Sequence, residues 1–85
     1  DQSAEVRAEA ATMAGKSLEA EEYQCLTELL QDTDSQVRKN AALALMKMDG
    51  VQAIQSLNNA VEKEKDEQVK AVFKVATTQL ARRLE

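Results

Sequence analysis

The chain contains no histidine, and this absence removes much of the side-chain chemistry that enzymes use. Neither a Ser/His nor a Cys/His pair can form, and there is no glycine-rich phosphate loop and no Cys-x-x-Cys motif. The single cysteine, Cys25, cannot form an internal disulfide and has no histidine as a base or as a second metal ligand. We interpret Cys25 as a small apolar residue or a helix-surface thiol. The sequence therefore predicts no enzymatic activity, no metal and no cofactor.

Residues that interrupt helices are also scarce, since there is no proline and there are only two glycines. The aromatic residues are limited to Tyr23 and Phe73, and much of the remainder is alanine, leucine, lysine, glutamate and glutamine, which favour helices. No apolar run of about 18 residues could span a bilayer, and no signal-peptide pattern opens the chain. The composition predicts one small, soluble, cytoplasmic helical domain.

The charge is distributed unevenly along the chain. The net charge is −4, but residues 1–34 carry nine acidic and two basic side chains, whereas residues 35–85 carry six acidic and nine basic ones. An acidic chain of this kind is not typical of proteins that bind nucleic acid or acidic membranes. We therefore expect no nucleic acid and no membrane as partner, and we expect the molecule to have an electric dipole.

The most informative stretch is residues 32–46, which combines a helix start with an amphipathic helix. Asp34 or Ser35 can cap this helix, and Asp32 and Asp34 place negative charge at its positive end. Five apolar residues then fall at spacings of four, three, one and three, on one helical face: Val37, Ala41, Ala44, Leu45 and Met48. The helix is predicted to end at Asp49 or Gly50, because glycine readily adopts the left-handed turn that ends a helix.

Together with this helix, the same reasoning predicts helices at about 3–15, 19–31, 35–48, 51–63 and 67–83. Ser3 is the expected cap of the first helix and Gly15 its end, and the fifth helix begins near Asp66 or Glu67. The residues predicted to be buried in the other four helices are Val6, Ala10, Met13 and Ala14; Tyr23, Leu26, Leu29 and Leu30; Ile54, Leu57, Ala60 and Val61; and Val69, Phe73, Ala76 and Leu80.

The helices recur with a period of 31 or 32 residues. Val6, Val37 and Val69 are separated by 31 and 32 residues, and each is followed by a basic residue. The second predicted helix aligns with the fourth at an offset of 31, so the extra residue lies in the turn 63–66. A fixed period of two antiparallel helices predicts a solenoid in which each unit packs on its neighbours. A four- or five-helix bundle would not require this recurrence.

The repeated motif resembles HEAT repeats of the short, phycobilisome-lyase-like type, and the resemblance covers nearly the whole chain. The central copy contains Asp32, Asp34, Val37 and Arg38, followed by small and apolar residues at Ala41, Ala42, Ala44 and Leu45. The outer copies keep Val6 and Arg7 on one side and Asp66, Val69 and Lys70 on the other. The resemblance implies an all-α superhelix of about two and a half repeats, in which the motif marks the second helix of each repeat.

The sequence departs from that family at several positions. Gln24 and Gln55 replace the proline common early in the first helix of a repeat, Ser3 replaces the second acid, and Lys70 replaces the arginine. The chain starts without methionine and within a repeat, so the resemblance also implies a single domain, 1–83, from a longer protein with an upstream helix. Residues 84–85 resemble a vector-derived tail.

Other interpretations fit the motif less well. Tetratricopeptide repeats have a period of about 34 and a Trp and Leu-Gly signature that is absent here. An EF-hand loop starting at Asp32 would have Val37 in place of glycine and Leu43 in place of glutamate. Capping, and an ion pair with Arg38 or with the arginine of a neighbouring repeat, explains the carboxylates better. HEAT-like iron hydroxylases need histidine, and HEAT-like glycosylases need a basic concave face.

The resemblance implies that the second helices line a concave face, on which equivalent positions form rows. The rows are Glu9, Asn40 and Val72; Thr12, Leu43 and Val75; and Lys16, Lys47 and Gln79. The candidate residues for binding another protein or a peptide are Thr12, Lys39, Leu43, Lys47, Val72 and Val75. The three apolar members lie off the predicted buried faces and could form a patch rimmed by Lys39 and Lys47. They could also be covered by neighbouring helices, or be isolated exposed residues, which are common.

We therefore predict a non-catalytic protein–protein interaction module. Three alternatives remain: a regulatory or docking domain of a larger enzyme such as a redox enzyme, a phycobilin-lyase-like subunit that handles a bilin chromophore, and a structural spacer. A spacer would have polar residues throughout the concave rows. Because the first helix lacks a partner helix of its own, we also expect weak self-association through it.

Overall fold

The computed structural model describes residues 3–14, 20–48 and 51–83. These residues form five α-helices, α1 (Ala4–Ala14), α2 (Ala20–Leu29), α3 (Ser35–Met46), α4 (Val51–Lys63) and α5 (Glu67–Arg83). No strand occurs in these three ranges. The predicted all-α class with five helices is confirmed. The expected helix ends at Gly15 and Gly50, and the candidate Lys16, lie outside the described residues.

The helices form two layers. α1, α3 and α5 lie side by side in one layer, with α3 packed closely against both of its neighbours. α2 packs on α1 and α3, and α4 packs mainly on α5, so these two helices form the second layer. The resulting slab measures 41 × 29 × 14 Å along its principal axes. This is the stacked-pair arrangement that the 31- and 32-residue period predicts.

Aspartates fix the starts of α3 and α5 in the same way. The Oδ1 atom of Asp34 accepts hydrogen bonds from the backbone N–H groups of Gln36 (2.8 Å) and Val37 (3.1 Å). Thirty-two residues later, Oδ1 of Asp66 accepts from Gln68 and Val69 at the same two distances, 2.8 and 3.1 Å. Each carboxylate satisfies two N–H groups that have no partner within the helix. Of the two predicted caps for α3, the cap is Asp34, not Ser35.

The first helix is capped more weakly, and α3 ends earlier than predicted. Ser3 Oγ accepts a hydrogen bond of 3.3 Å from the N–H of Val6, so Ser3 caps α1 as expected.

α3 ends at Met46, where the N–H of Lys47 donates back to the carbonyl oxygen of Ala44 at 3.1 Å. Arg83 Nη1 also donates to the carbonyl oxygen of Met46, which ties the end of α5 to the end of α3. A basic side chain thus binds one of the carbonyl groups that a helix end leaves without a partner.

The core follows the predicted apolar faces in four of the five helices. All five residues predicted for α3 and all four predicted for α5 are buried, with Val37, Leu45 and Phe73 at 0% exposure. In α2 and α4 half of the predicted residues are buried and the others are half-buried against the core, namely Tyr23, Leu29, Ile54 and Val61. Ala53 is buried as well, although it was not predicted. The predicted apolar face of α4 left out Ala53 because a small side chain contributes little to the apolar pattern.

The prediction for α1 is wrong at three of four positions. Val6 is 47% exposed, Met13 is 70% exposed and Ala10 is also exposed; only Ala14 is buried. α1 instead packs through Ala8, Ala11 and Ala14. The methyl side chain of alanine is too small to hold neighbouring helices apart, so α2 and α3 pack closely on this face. Val6, Ala10 and Met13 lie on a side of α1 that no helix of the described residues covers.

Candidate functional site

The candidate site lies on the side of α1, α3 and α5 that faces away from α2 and α4, which we call the outer face. Helical position and exposure place six residues of the predicted rows on it: Glu9, Thr12, Asn40, Leu43, Val72 and Val75. Between α1 and α3 this face is polar. Asn40 Nδ2 donates to the carbonyl oxygen of Ala8 at 3.1 Å and to Thr12 Oγ1 at 3.4 Å, and Asn40 Oδ1 accepts from Gln36 Nε2 at 2.8 Å. Thr12, a predicted binding residue, therefore has its hydroxyl engaged within the fold.

Between α3 and α5 the same face becomes apolar. Leu43 and Val72 occupy the repeat positions of Thr12 and Asn40, so a hydrogen-bonded pair in one junction is replaced by two apolar side chains in the next. Leu43 is 42% exposed and Val75 is 52% exposed, whereas Val72 is half-buried and packs against the core. The exposed apolar surface that was predicted thus consists mainly of Leu43 and Val75, and Val72 is partly covered by neighbouring residues. This part of the outer face is where a partner could bury apolar area.

The two lysines predicted at the rim differ in exposure and in contacts. Lys39 is half-buried, and its Nζ lies 3.4 Å from Oε1 of Gln68, a weak contact that joins α3 to α5. Lys47 is exposed at the end of α3. Both cations border the junction between α3 and α5, so a partner with acidic side chains around an apolar contact would match this surface in charge.

The motif residues form a separate structure, a pair of repeated ion pairs that connect successive repeats. Arg7 binds Asp32 through two contacts, Nε to Oδ2 at 2.7 Å and Nη2 to Oδ1 at 3.0 Å. Arg38 binds Glu64 in the same forked geometry, at 2.8 and 3.1 Å. Each pair joins the second helix of one repeat to the turn before the second helix of the next, where bidentate geometry adds specificity as well as energy.

Each carboxylate of these pairs also orders the turn in which it lies. Asp32 Oδ1 accepts the backbone N–H of Asp34 at 2.9 Å, and Glu64 Oε2 accepts that of Asp66 at 3.1 Å. The side-chain hydrogen bonds from Arg7 hold the pKa of Asp32 below its ordinary value, and the N–H of Asp34 adds to this effect. The same contact raises the pKa of Arg7. These carboxylates therefore position the capping aspartates that follow them.

The ion-pair prediction was right for one residue and missed another. Of the two predicted partners for the Asp32 carboxylate, the one that binds it is Arg7, the arginine of the neighbouring repeat. Arg38 contacts Asp32 at its backbone carbonyl oxygen, at 2.7 Å, and forms its ion pair with Glu64. Glu64 was not predicted, although it lies 32 residues after Asp32 and is the buried acid of the second pair. The spacing contained this signal, but the change from aspartate to glutamate hid it. Lys70 occupies the third arginine position and is half-buried.

The opposite side of the slab has shallow grooves between α2 and α4. One groove, of about 300 Å³, is lined by the apolar Leu30 and Ala60, by the ion pair of Arg38 and Glu64, and by Lys63 and Lys65. An adjacent groove of about 250 Å³ shares Leu30, Ala60 and Lys63 with it. Nearby, the hydroxyl groups of Tyr23 and Ser56 lie 2.8 Å apart and connect α2 to α4. The shared residues show that the two grooves adjoin each other.

Within residues 3–14, 20–48 and 51–83, no group of three or more histidine, cysteine, aspartate or glutamate side chains could hold a metal ion. Cys25 is exposed on α2, which matches the interpretation as a helix-surface thiol and not as a core residue. None of the helices in these ranges is long and apolar enough to cross a membrane.

The two-layer stack and its repeated caps and ion pairs define a helical repeat protein, and comparison with known families identifies which one. The model of the HEAT repeats matches residues 1–76, so the chain belongs to the HEAT repeat family. The chain is also similar to a bilin biosynthesis protein, MpeU, of Synechococcus sp. (strain WH8020), with 57% identity over 81 residues. This match covers 94% of the chain but only 27% of that relative, so the chain spans about a quarter of its length. No solved structure matches the chain.

Proposed function

We propose that this chain is a protein-docking module of a bilin-handling protein and that its partner binds the outer face at the junction of α3 and α5. The observation that carries the proposal is the 57% identity to a bilin biosynthesis protein across 94% of the chain. Identity at this level extends to the surface as well as to the core, which favours a shared task over a shared fold alone. Stacked helical repeats commonly present extended surfaces for binding.

The exposed side chains of this junction support a protein as the ligand. Leu43 and Val75 offer apolar area, and Lys39 and Lys47 add positive charge beside it. A protein surface with a small apolar contact and an acidic rim would complement this arrangement. The polar junction between α1 and α3, where Asn40 and Thr12 bind each other, offers no comparable apolar contact.

We keep the prediction that this chain contributes binding and not catalysis. The chain has no histidine, and its carboxylates in the two ion pairs are held by arginines. The relative acts in bilin biosynthesis as a whole protein, of which the chain matches 27%, so a reaction could be carried out by other parts of such a protein.

The test is capture of a bilin-carrying protein on the immobilised chain from a lysate of Synechococcus sp. (strain WH8020). The wild type is compared with Leu43→Asp, and Val51→Asp is the matched control because Val51 is 54% exposed on α4, away from the outer face. We expect the wild type and the control to retain a protein that absorbs visible light, and Leu43→Asp to retain at least about tenfold less. Equal capture by all three would refute the docking site, and captured protein without bilin absorbance would refute a bilin-carrying partner.

A second candidate function, direct binding of the bilin, is favoured by the groove between α2 and α4. Open-chain tetrapyrroles carry two propionate groups on an apolar framework, and this groove combines Leu30 and Ala60 with Lys63 and Lys65. Titration of the purified chain with a free bilin, followed by its absorption spectrum, tests this candidate. A spectral change that Lys63→Glu with Lys65→Glu abolishes would support it, and an unchanged spectrum would leave docking as the function.

A further inference from the structure

One line of side chains along α3 combines the apolar and the charged residues of the outer face. Lys39, Leu43 and Lys47 follow one another at intervals of four residues, so they lie on one side of the helix, about 6 Å apart along its axis. Lys47 continues the line just beyond the end of α3, because its backbone remains helical at φ −82° and ψ −14°. The outer face thus presents a leucine between two cations, which we call the α3 line.

The exposure of Leu43 belongs to the packed stack. α3 has α1 and α5 beside it in its layer and α2 behind it, and Leu43 is nevertheless 42% exposed. Val75 occupies the same repeat position in α5 and is 52% exposed, and Val72 lies half-buried beside it. The apolar surface therefore spans the junction of α3 and α5.

The charge beside this apolar surface comes from the α3 line. Lys39 and Lys47 carry it, whereas the equivalent positions of α5 are uncharged, being Ala71 and Gln79. On the other side of α3, α1 exposes the acid Glu9 on the outer face. An acidic partner is therefore attracted to the junction of α3 and α5 and repelled from the junction of α1 and α3.

A helix fits this surface better than an extended segment does. The surface consists of side chains on two helices, whose backbone N–H and C=O groups are bonded within the helices themselves. An extended segment that covered Leu43 and Val75 would shield some of its own backbone groups from water and find no partner for them. A helix satisfies its backbone internally, and its residues i, i+4 and i+8 lie on one side at the spacing of the α3 line.

On the basis of the docking function described above, we propose that the partner places an acidic amphipathic helix across this junction. An apolar residue of that helix lies against Leu43, and acidic residues four positions before and four positions after it pair with Lys39 and Lys47. Further apolar residues of the helix cover Val72 and Val75. The order of acid, apolar residue and acid is the same in either chain direction, so parallel and antiparallel helices both satisfy it.

Three fluorescently labelled synthetic peptides test the charge order. They share a helical sequence with one leucine face and differ only at the two positions four residues before and after the central leucine. These positions hold glutamates in the first peptide, lysines in the second and glutamines in the third. In fluorescence anisotropy titrations, we expect the chain to bind the glutamate peptide at least about fivefold more tightly than the glutamine peptide, and the lysine peptide most weakly. Added salt should reduce these differences.

Substitutions in the chain show whether the two lysines read the glutamates. Lys39→Glu combined with Lys47→Glu should reverse the preference, so that the lysine peptide binds most tightly. The milder pair Lys39→Gln with Lys47→Gln should bind the glutamate and glutamine peptides equally. Lys74→Glu is the control and should keep the wild-type preference, because Lys74 is exposed on α5 but is turned about 100° away from Val75 around the helix. Circular dichroism verifies that all the proteins have the same helix content.

The outcomes for the helix and for the docking site can be told apart. Equal affinity for the glutamate and glutamine peptides, or binding of none of the three, overturns the acidic helix. A preference that survives in both lysine pairs overturns it as well. In each case the docking site stands if Leu43→Asp reduces capture of the bilin-carrying protein, since that test does not depend on the charge order. Capture that is equal for the wild type and Leu43→Asp refutes the docking site whatever the peptides do.

Discussion

Arg7 and Arg38 have the same task in successive repeats, since each holds the carboxylate that precedes the next second helix. Asp32 and Glu64, the residues held, each accept the N–H of the capping aspartate two residues later. The arginine therefore fixes the acid, and the acid fixes the cap of the next helix. The motif is a structural connection between repeats, in which arginines and backbone N–H groups bind the carboxylates. At this scale the residue types predicted a cap at Ser3 and one at Asp34 or Ser35, but they did not predict the cap of α5 or every ion-pair partner.

The lowered pKa of Asp32 predicts a loss of stability in acid. A carboxyl group whose pKa is lower in the folded state stabilises the fold above its unfolded-state pKa, near the ordinary value of 3.8, and this stabilisation is lost as the pH falls below that value. We expect Asp32→Asn to be less stable than the wild type at about pH 6, and the difference to shrink as the pH falls below the ordinary pKa of the carboxyl group. Urea unfolding across this range measures it. Glu62→Gln, at an exposed position of α4, controls for the loss of one charge; a difference that is constant with pH would contradict the prediction.

The buried pair of Arg38 and Glu64 predicts an unequal response to single and double substitution. Their side chains are 16% and 5% exposed, so Arg38→Met leaves a carboxylate buried without its cation. We expect this change to cost about 3 kcal/mol of unfolding free energy, and Arg38→Met combined with Glu64→Gln to cost clearly less. Chemical denaturation measures both.

The control for this pair is Lys39→Met on the same helix, where the long contact of 3.4 Å to Gln68 predicts almost no loss. A double variant as unstable as Arg38→Met alone would show that the buried charge is not the cause.

At the scale of single helices, α3 and α5 behaved as their patterns predicted and α1 did not. α3 has a neighbour on both sides in its layer, so every residue of its predicted apolar face is covered. α1 carries a similar pattern, but only its alanine face has neighbours among the described residues, and Val6 and Met13 are exposed. A periodic pattern identifies positions suited to burial, and burial itself needs a second element at the right place.

Two leucines of α3 differ in burial, and their substitution should therefore affect stability differently. Leu45 is fully buried, whereas Leu43, two residues earlier, is 42% exposed on the outer face. We expect Leu45→Ala to lower the unfolding free energy by about 2 to 5 kcal/mol, because it leaves a cavity, and Leu43→Ala to change it by less than about 0.5 kcal/mol. Thermal or urea denaturation compares them directly. Equal losses would mean that Leu43 is part of the core and not available to a partner.

At the scale of the whole molecule, the fold is a stack in which each helix contacts mainly its neighbours. α3 is at the centre, since it packs on α1, α2 and α5 and also contacts α4. Among the described residues, α1 and α5 each have one neighbour in this layer, which is α3. The grooves between α2 and α4 lie on the opposite side from the outer face. Binding on the outer face and binding in these grooves would therefore take place on separate surfaces.

The stacked arrangement predicts a gradient of local stability. Backbone amide exchange should be slowest in α3, whose residues Val37, Ala41 and Leu45 are all at 0% exposure, and faster in α1, whose core contacts are made by alanines. Exchange followed by mass spectrometry or nuclear magnetic resonance at low protein concentration measures this order. Protection of α1 equal to that of α3 would contradict the prediction.

The sequence by itself determined the helical class, the two-helix period, the approximate starts of α3 and α5 and the buried faces of these two helices. These features depend on local hydrogen bonding and on periodicity, which are written within about 30 successive residues. The partners of Arg7 and Arg38, the burial of Glu64 and the exposure of Val6 and Met13 were decided only by the tertiary structure. They depend on which elements meet across 25 or 26 residues of chain, and on which side of a helix has no neighbour. Neither the partner of a side chain nor the uncovered side of a helix can be predicted from the local sequence, because both depend on how the helices stack.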